Sequence, residues 1–273
     1  MDGHDTPRRV YIGCAGWHHA RPHSAEPDVQ GTQLERYALH FRAVEINSSF
    51  HRSHRRATYE RWSAGVPESF RFSVKMPKTI THEKRLVDAN VPLRLFLSEI
   101  SGLGEKLGCV LVQLPPTVEF DVQLVEAFFE RMRESYTGPV MVEPRHPTWF
   151  AREANRMLQR LSVTRVAADP SVVPIAAAPG GNPGKVYLRL HGSPQVYYSS
   201  YTLAYLDALA FRVRAYARAN AEVWCIFDNT IRGAATTNAE HLMRKIILEE
   251  TAVSTPRYKP DAPSRQAMAN KPS

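Results

Sequence analysis

Eight short apolar runs, each ending in polar or charged residues, divide this chain. They are VYIGCAG (10–16), AVEIN (43–47), FRFSVK (70–75), CVLVQL (109–114), VMVEPR (140–145), TRVAAD (164–169), VYLRLH (186–191) and VWCIFD (223–228). Runs of this length suit β-strands buried on both faces. Segments of helical period separate most of them. QLERYALHF sets Leu34, Tyr37, Ala38 and Phe41 on one face, and residues 93–108 do the same with Leu93, Phe96, Leu97, Ile100, Leu103 and Leu107. Residues 121–134 open on Asp121 and residues 202–219 on Thr202, both good N-cap types. The sixth interval, PSVVPIAAAPGGNPGK (170–185), is too rich in Pro and Gly for a helix.

Eight strands alternating with about seven helices call for a parallel sheet with right-handed crossovers. Eight such units close into a (β/α)8 TIM barrel, here with a Pro/Gly-rich loop in place of the helix after strand six. An open doubly wound sheet is the competitor, but GCAG after the first strand is not the GxGxxG phosphate loop such a sheet would carry. The domain reading is an N-terminal extension over 1–9, a barrel over 10–250 and a disordered basic tail over 251–273.

Charge and composition narrow the function. The net charge is +8, but the tail contributes +3 of it, with four prolines and almost no large apolar residue. The barrel itself is only modestly basic, with a local cluster, HRSHRR at 51–56, that reads as a solvated face or an anion-steering patch. No apolar stretch of about 18 residues is present, so no membrane span is expected. The N-terminus has no apolar run of a secretory signal. Cys14, Cys109 and Cys225 are widely spaced in apolar segments and read as buried free thiols, which points to the cytoplasm.

The runs also carry a signature. IGCAGW (12–17), VEINSSFHR (44–52), FSVKMPKTITHEKRL (72–86), LGCVLVQLPP (107–116), VEPRHPTWF (142–150), YLRLHG (187–192) and FDNT (227–230) follow one another in order. Together they resemble the YecE-like family of TIM-barrel proteins, "domain of unknown function 72". The resemblance spans roughly residues 10 to 248; it implies a TIM barrel and no particular reaction. Cys14 and Ala15 stand where the family usually has Thr-Ser or Ser-Ser, and His51 replaces a Tyr. The loop after Trp17 is short and His-rich, with His18, His19 and His23. These departures bear on the substrate rather than on the fold.

Alternation along each strand then assigns the polar residues. One parity faces the helices and the other the barrel interior. Strand two turns Glu45 and Asn47 inward, strand three Ser73 and Lys75, strand four Gln113, strand five Glu143 and Arg145. Strand six gives Asp169, strand seven Arg189 and His191, and strand eight ends in Asp228 and Asn229, which alternation does not separate. These groups gather at the C-terminal ends of the strands, where barrel enzymes place their sites. A self-paired ionic plug is the structural alternative, but burying so many charges is costly even when they are paired.

The expected chemistry is acid–base catalysis on a small anionic or polyhydroxylated substrate. Glu143 or Glu45 would be the general base, with His191 or Asp228 as its acid partner. Lys75, Arg145 and Arg189 would clamp a carboxylate or phosphate, with Asn47, Gln113, Asp169, Asn229 and Tyr198 as further substrate contacts. Tyr197, Tyr198 and Tyr201 form a lid or simply cover the mouth. Lys75 is also a candidate Schiff-base nucleophile if its surroundings lower its pKa. No cofactor is predicted. A divalent metal held by the acidic residues and His191 defines the alternative of a metal-dependent phosphodiesterase, though no local ligand spacing supports it. A nucleic-acid-binding barrel, with phosphate contacts from the basic segments, and a noncatalytic ligand-binding protein complete the alternatives. The oligomeric state is not readable.

Overall fold

The computed structural model describes residues 9–17 and 31–254. The His-rich segment after Trp17, nearly all of the N-terminal extension and the tail beyond 254 lie outside the described residues. The strands are β1 (Val10–Ala15), β2 (Ala43–Ile46), β3 (Arg71–Lys75), β4 (Leu107–Gln113), β5 (Val140–Glu143), β6 (Val163–Arg165), β7 (Ala167–Asp169), β8 (Gly180–Gly181), β9 (Lys185–Leu190) and β10 (Glu222–Phe227). The helices are α1 (Gln33–His40), α2 (Arg56–Ala64), α3 (Asn90–Ile100), α4 (Val122–Arg133), α5 (Arg152–Arg160), α6 (Leu203–Arg218) and α7 (Ala234–Ser254). The last of these extends past residue 250 into the segment read as a tail.

Parallel pairing runs from β9 through β10, β1, β2, β3, β4 and β5 to β6. The sixth strand closes the ring. Its first half, β6, pairs with β5, while its second half, β7, pairs with β9, and only Val166 separates them. The eight expected strands are therefore present as a TIM-type barrel. The interval after the sixth strand carries no α-helix, as its composition demands. It holds a short 3-10 turn at Pro174–Ala177 and the two-residue strand β8, antiparallel to β6.

Local signals explain the helix ends. Thr32 and Glu35 form a reciprocal capping box at the start of α1, and the Asp121 and Thr202 side chains accept from Leu124 N and Tyr205 N. One apolar layer fills the space between sheet and helices, including Val44, Val74, Val110 and Leu188 from the outward parity of the strands. Among the described residues, no helix is long and apolar enough to cross a membrane.

A second, smaller core occupies the inside of the barrel, and aromatic rings dominate it. Tyr11 stacks on Trp224 at 4.7 Å between centroids, and Tyr187 lies nearly parallel to the same indole at 6.1 Å. Cys109, Leu111, Met141 and Ile226 fill around them. Gly108 is needed here, because any Cβ at that position would run into the Trp224 ring. Trp224 sits early in its strand, so this stack plugs the N-terminal end and leaves the opposite end for polar groups. Trp224→Ala should cost about 3–5 kcal/mol by opening a cavity where nothing can collapse. Denaturant unfolding measures it, and a loss under about 1 kcal/mol would show that the plug is not tightly packed.

Candidate active site at the barrel mouth

Above the aromatic plug lies a layer of charge organised by one side chain. Arg189, in β9, is fully buried and meets three carboxylates. Its Nη2 and Nε donate to Glu45 Oε1 and Oε2 at 2.7 and 3.1 Å. Nη1 donates to Glu143 Oε2 at 3.2 Å, and Nη2 lies 3.0 Å from Asp228 Oδ2. Tyr187 links this layer to the plug, its hydroxyl donating to Glu45 Oε2 at 2.7 Å and sharing a 2.9 Å hydrogen bond with Ser73.

His191 lies between two of the carboxylates. Nδ1 is 3.0 Å from Asp228 Oδ2, and Nε2 is 2.8 Å from Glu143 Oε1. Arg145 Nη2 reaches both Glu143 Oε1 and His191 Nε2 at 2.6 Å. Two arrangements satisfy these atoms. A proton on Nε2 is donated to Glu143; without it, Nε2 accepts from Arg145 while Nδ1–H donates to Asp228. The ring is thus placed to carry a proton between buried carboxylates, with the Arg145 side chain beside it 21% exposed.

The electrostatics follow from the pairing. Burial, the largest single influence, would raise the Glu143 and Asp228 carboxyls, but the cations around them together outweigh it, Arg189 first among them. Arg145 and His191 add to this at Glu143, and His191 and Lys75 at Asp228, so both acids are held below the usual carboxylate range. The stability they confer is present above that range and is lost as pH falls through their depressed values. Burial likewise opposes the charge of Arg189, and its three carboxylates outweigh that, holding it firmly protonated.

Lys75 behaves differently. It is buried, yet among the described residues no oxygen accepts a hydrogen bond from it; its Nζ rests 4.1 Å from the centre of the Phe50 ring. Burial first, then Arg189, push its ammonium from the ordinary 10.5 to about 8, against the pull of Glu45, Glu143 and Asp228. His51 and His82 meet Phe50 edge-on at 5.0 and 4.9 Å, and His82 is lowered by burial and by Lys75. Glu83, beside His82, instead pairs with Lys78 at 3.4 Å.

Of the residues expected in the site, Glu45, Lys75, Glu143, Arg145, Arg189, His191 and Asp228 come together. Gln113 joins them by donating to Glu143 Oε2 at 3.3 Å, and Asn47 reaches Asp228 Oδ1 at 3.5 Å, leaving its own buried Oδ1 without a donor among the described residues. Three do not. Asp169 shares the outward parity of Ala167 and accepts from Tyr201 at 2.8 Å, on the helix side of the sheet. Asn229 donates to Ser199 O and Asn238 Oδ1, both at 2.9 Å, and so fixes the loop to α7, leaving Asp228 as the residue that faces inward. Tyr198 takes the Arg232 cation at 5.5 Å; its neighbour Tyr197 is the ring that stands edge-on to His191, at 5.7 Å. Tyr201 is buried and donates to Asp169, so it is scaffolding. Tyr187 and Phe50 were missed, although strand alternation already turns Tyr187 inward. Among the described residues, no three His, Cys, Asp or Glu side chains form a group suited to hold a metal ion.

A (β/α)8 barrel whose C-terminal mouth is built on a buried ionic layer is the class this fold and site define. Within it, the chain belongs to the family described as "Protein of unknown function DUF72", whose model matches residues 11–266. It is 32% identical to the UPF0759 protein YecE of Escherichia coli K12 over 167 residues, 59% of this chain and 59% of that protein. Identity to the UPF0759 protein YunF of Bacillus subtilis is 30% over 157 residues, 52% of each. These matches therefore span less than two thirds of either relative. A DUF72 family crystal structure from Enterococcus faecalis V583 superposes with a TM-score of 0.73 at 22% identity, covering 87% of this chain and 95% of that one. One from Thermotoga maritima MSB8 gives 0.70 at 26% identity, with 88% and 99% covered.

Two stability changes of opposite sign should follow from the pairing. Arg189→Met strands three buried carboxylates and should cost about 3–5 kcal/mol at pH 7. Lys75→Met should instead stabilise the fold at pH 7 by about 1–3 kcal/mol, because a pKa lowered from 10.5 to about 8 is a charge the native state holds at a loss. That loss is complete below pH 8. Between about 8 and 10.5 the native chain releases a proton the unfolded chain keeps, so wild-type stability rises and the gap to Lys75→Met closes. Urea titrations at pH 7 and pH 10 decide both, and a Lys75→Met variant less stable than wild type at pH 7 would refute the second.

Proposed function

We propose that this protein is an enzyme of the cytoplasm, performing general acid–base chemistry on a small anionic or polyhydroxylated substrate at the barrel mouth. The observation that carries the reading is the uneven sharing of charge: Arg189 gathers all three carboxylates, and Lys75 hydrogen-bonds to none. An ammonium largely withdrawn from water and without an oxygen partner in the protein costs stability, and an anionic ligand supplies the partner. Asn47 Oδ1, buried and without a donor, suits a substrate hydroxyl. Arg145, partly exposed at the rim, provides a second cationic contact.

His191 and Glu143 are then the proton-handling pair. Asp228 orients the imidazole through Nδ1, Glu143 faces Nε2, and Arg145 Nη2 approaches the same nitrogen at 2.6 Å. Tyr197 stands edge-on to His191 from the loop. The cytoplasmic placement is supported by Cys14, Cys109 and Cys225, all free and buried.

Anion affinity should weaken as pH rises through about 8, where Lys75 loses its charge. Thermal shifts with inorganic phosphate, sugar phosphates and small carboxylates, read at pH 7 and pH 9, test this. A compound at 100 times its Kd adds about 2.7 kcal/mol. Each kcal/mol moves Tm by roughly 2–4 °C in a chain this size. Lys75→Met should lose the shift at both pH values, and Glu143→Gln should keep binding while losing turnover of the stabilising compound. Stabilisation that is unchanged in Lys75→Met, or the absence of any stabilising anion, would overturn the reading.

A further inference from the structure

Two lysines are buried among the described residues, and they are built in opposite ways. Lys106 donates to Ser63 O and Val66 O, both at 2.8 Å, and lies 3.2 Å from Glu68. Its ammonium is fully employed in holding the chain. Lys75 has none of these partners. Its Nζ is backed by the face of Phe50, and that ring is fixed by His51 and His82 on its edges. The lysine stands at the C-terminal end of β3, inside the barrel, and shares the interior with Arg189, Glu45, Glu143 and Asp228. An amine kept away from hydrogen-bond acceptors, against an apolar wall and beside a permanent cation, is the setting in which a lysine becomes a nucleophile.

We infer that Lys75 condenses with the carbonyl carbon of a small anion bearing a ketone or aldehyde, forming an imine. The inference rests on the anion-binding reading of the mouth and specifies its substrate class. The step balances within the groups present. The Nζ lone pair forms the C–N bond while the carbonyl π pair moves to oxygen; Nζ gives up two protons in turn, the oxygen gains two, and the C–O bond breaks as water leaves. His191, hydrogen-bonded to Glu143 and Asp228 in the same ionic layer, would pass those protons. Arg145 takes the anionic end of the substrate. The lowered ammonium agrees with this use: at pH 7 the free-amine fraction of Lys75 exceeds that of an ordinary lysine roughly 300-fold.

Reductive trapping tests the inference on the full chain. The protein is incubated at pH 7 with sodium cyanoborohydride and, separately, pyruvate, 2-oxoglutarate or dihydroxyacetone phosphate, then mapped by peptide mass spectrometry. The expected product is a Lys75 adduct whose mass increment equals the carbonyl compound less one oxygen atom. It should form at least about tenfold faster than at the exposed lysines of the same chain. Lys75→Arg has no condensing amine, so it should yield no adduct at position 75 while exposed lysines label as in the wild type. If none of the three compounds labels Lys75 above the level of the exposed lysines, the inference falls. Phosphate stabilisation that persists in that case leaves the anion-binding reading standing, and its absence removes both.

Discussion

The contact of Arg189 with Glu45, Glu143 and Asp228 is the constraint on which the mouth of this barrel depends. It ties β9 to β2, to β5 and to the end of β10, strands that are not all neighbours in the ring. A guanidinium suits the task because its donors are fixed in a plane and can address several carboxylates at once, which an ammonium cannot do with the same geometry. With Arg189 saturated, each remaining group takes a defined role. Glu143 and Asp228 are held ionised, the imidazole is held between them, and the lysine is left over. The interior is thus layered, with an aromatic plug at one end, a paired ionic layer above it and an incompletely paired rim at the other.

This layering also explains why the ionic groups are tolerated. Burying an ion pair is seldom better than burying a hydrocarbon of the same shape, so a layer kept only for stability would be a poor solution. Within the barrel mouth the distribution departs from what stability alone favours at Lys75, and that departure carries the functional reading. Glu45 and Tyr187 belong more to the scaffold, since both of the Glu45 oxygens are occupied from within the barrel.

Much of this was legible in the sequence, because period-two alternation reports facing directly wherever bulky apolar residues mark one parity. Val44 and Ile46 mark it around Glu45, and Leu188 and Leu190 mark it around Arg189 and His191, so those residues were placed correctly. The signal fails where the markers are missing. In the sixth strand, Ala167 and Ala168 fit either face, and Asp169 was assigned to the wrong one. After Phe227 the strand ends, and nothing in Asp228-Asn229 says which residue turns inward. Tyr197 and Tyr198 lie in a loop, where Tyr197 adopts a positive φ of 69° that no strand rule anticipates. Facing, moreover, does not determine partners: alternation brings the cations and acids together, while side-chain torsions decide that one arginine takes every acid.

The distance along the chain between the partners has a consequence for synthesis. Glu45 and Arg189 are 144 residues apart in sequence. On the ribosome, several strands emerge before the guanidinium that neutralises them, and a barrel lacking its last strands has an open interior. Acids lining that interior stay hydrated and mutually repelling until β9 arrives, which disfavours premature collapse and adhesion between unfinished chains.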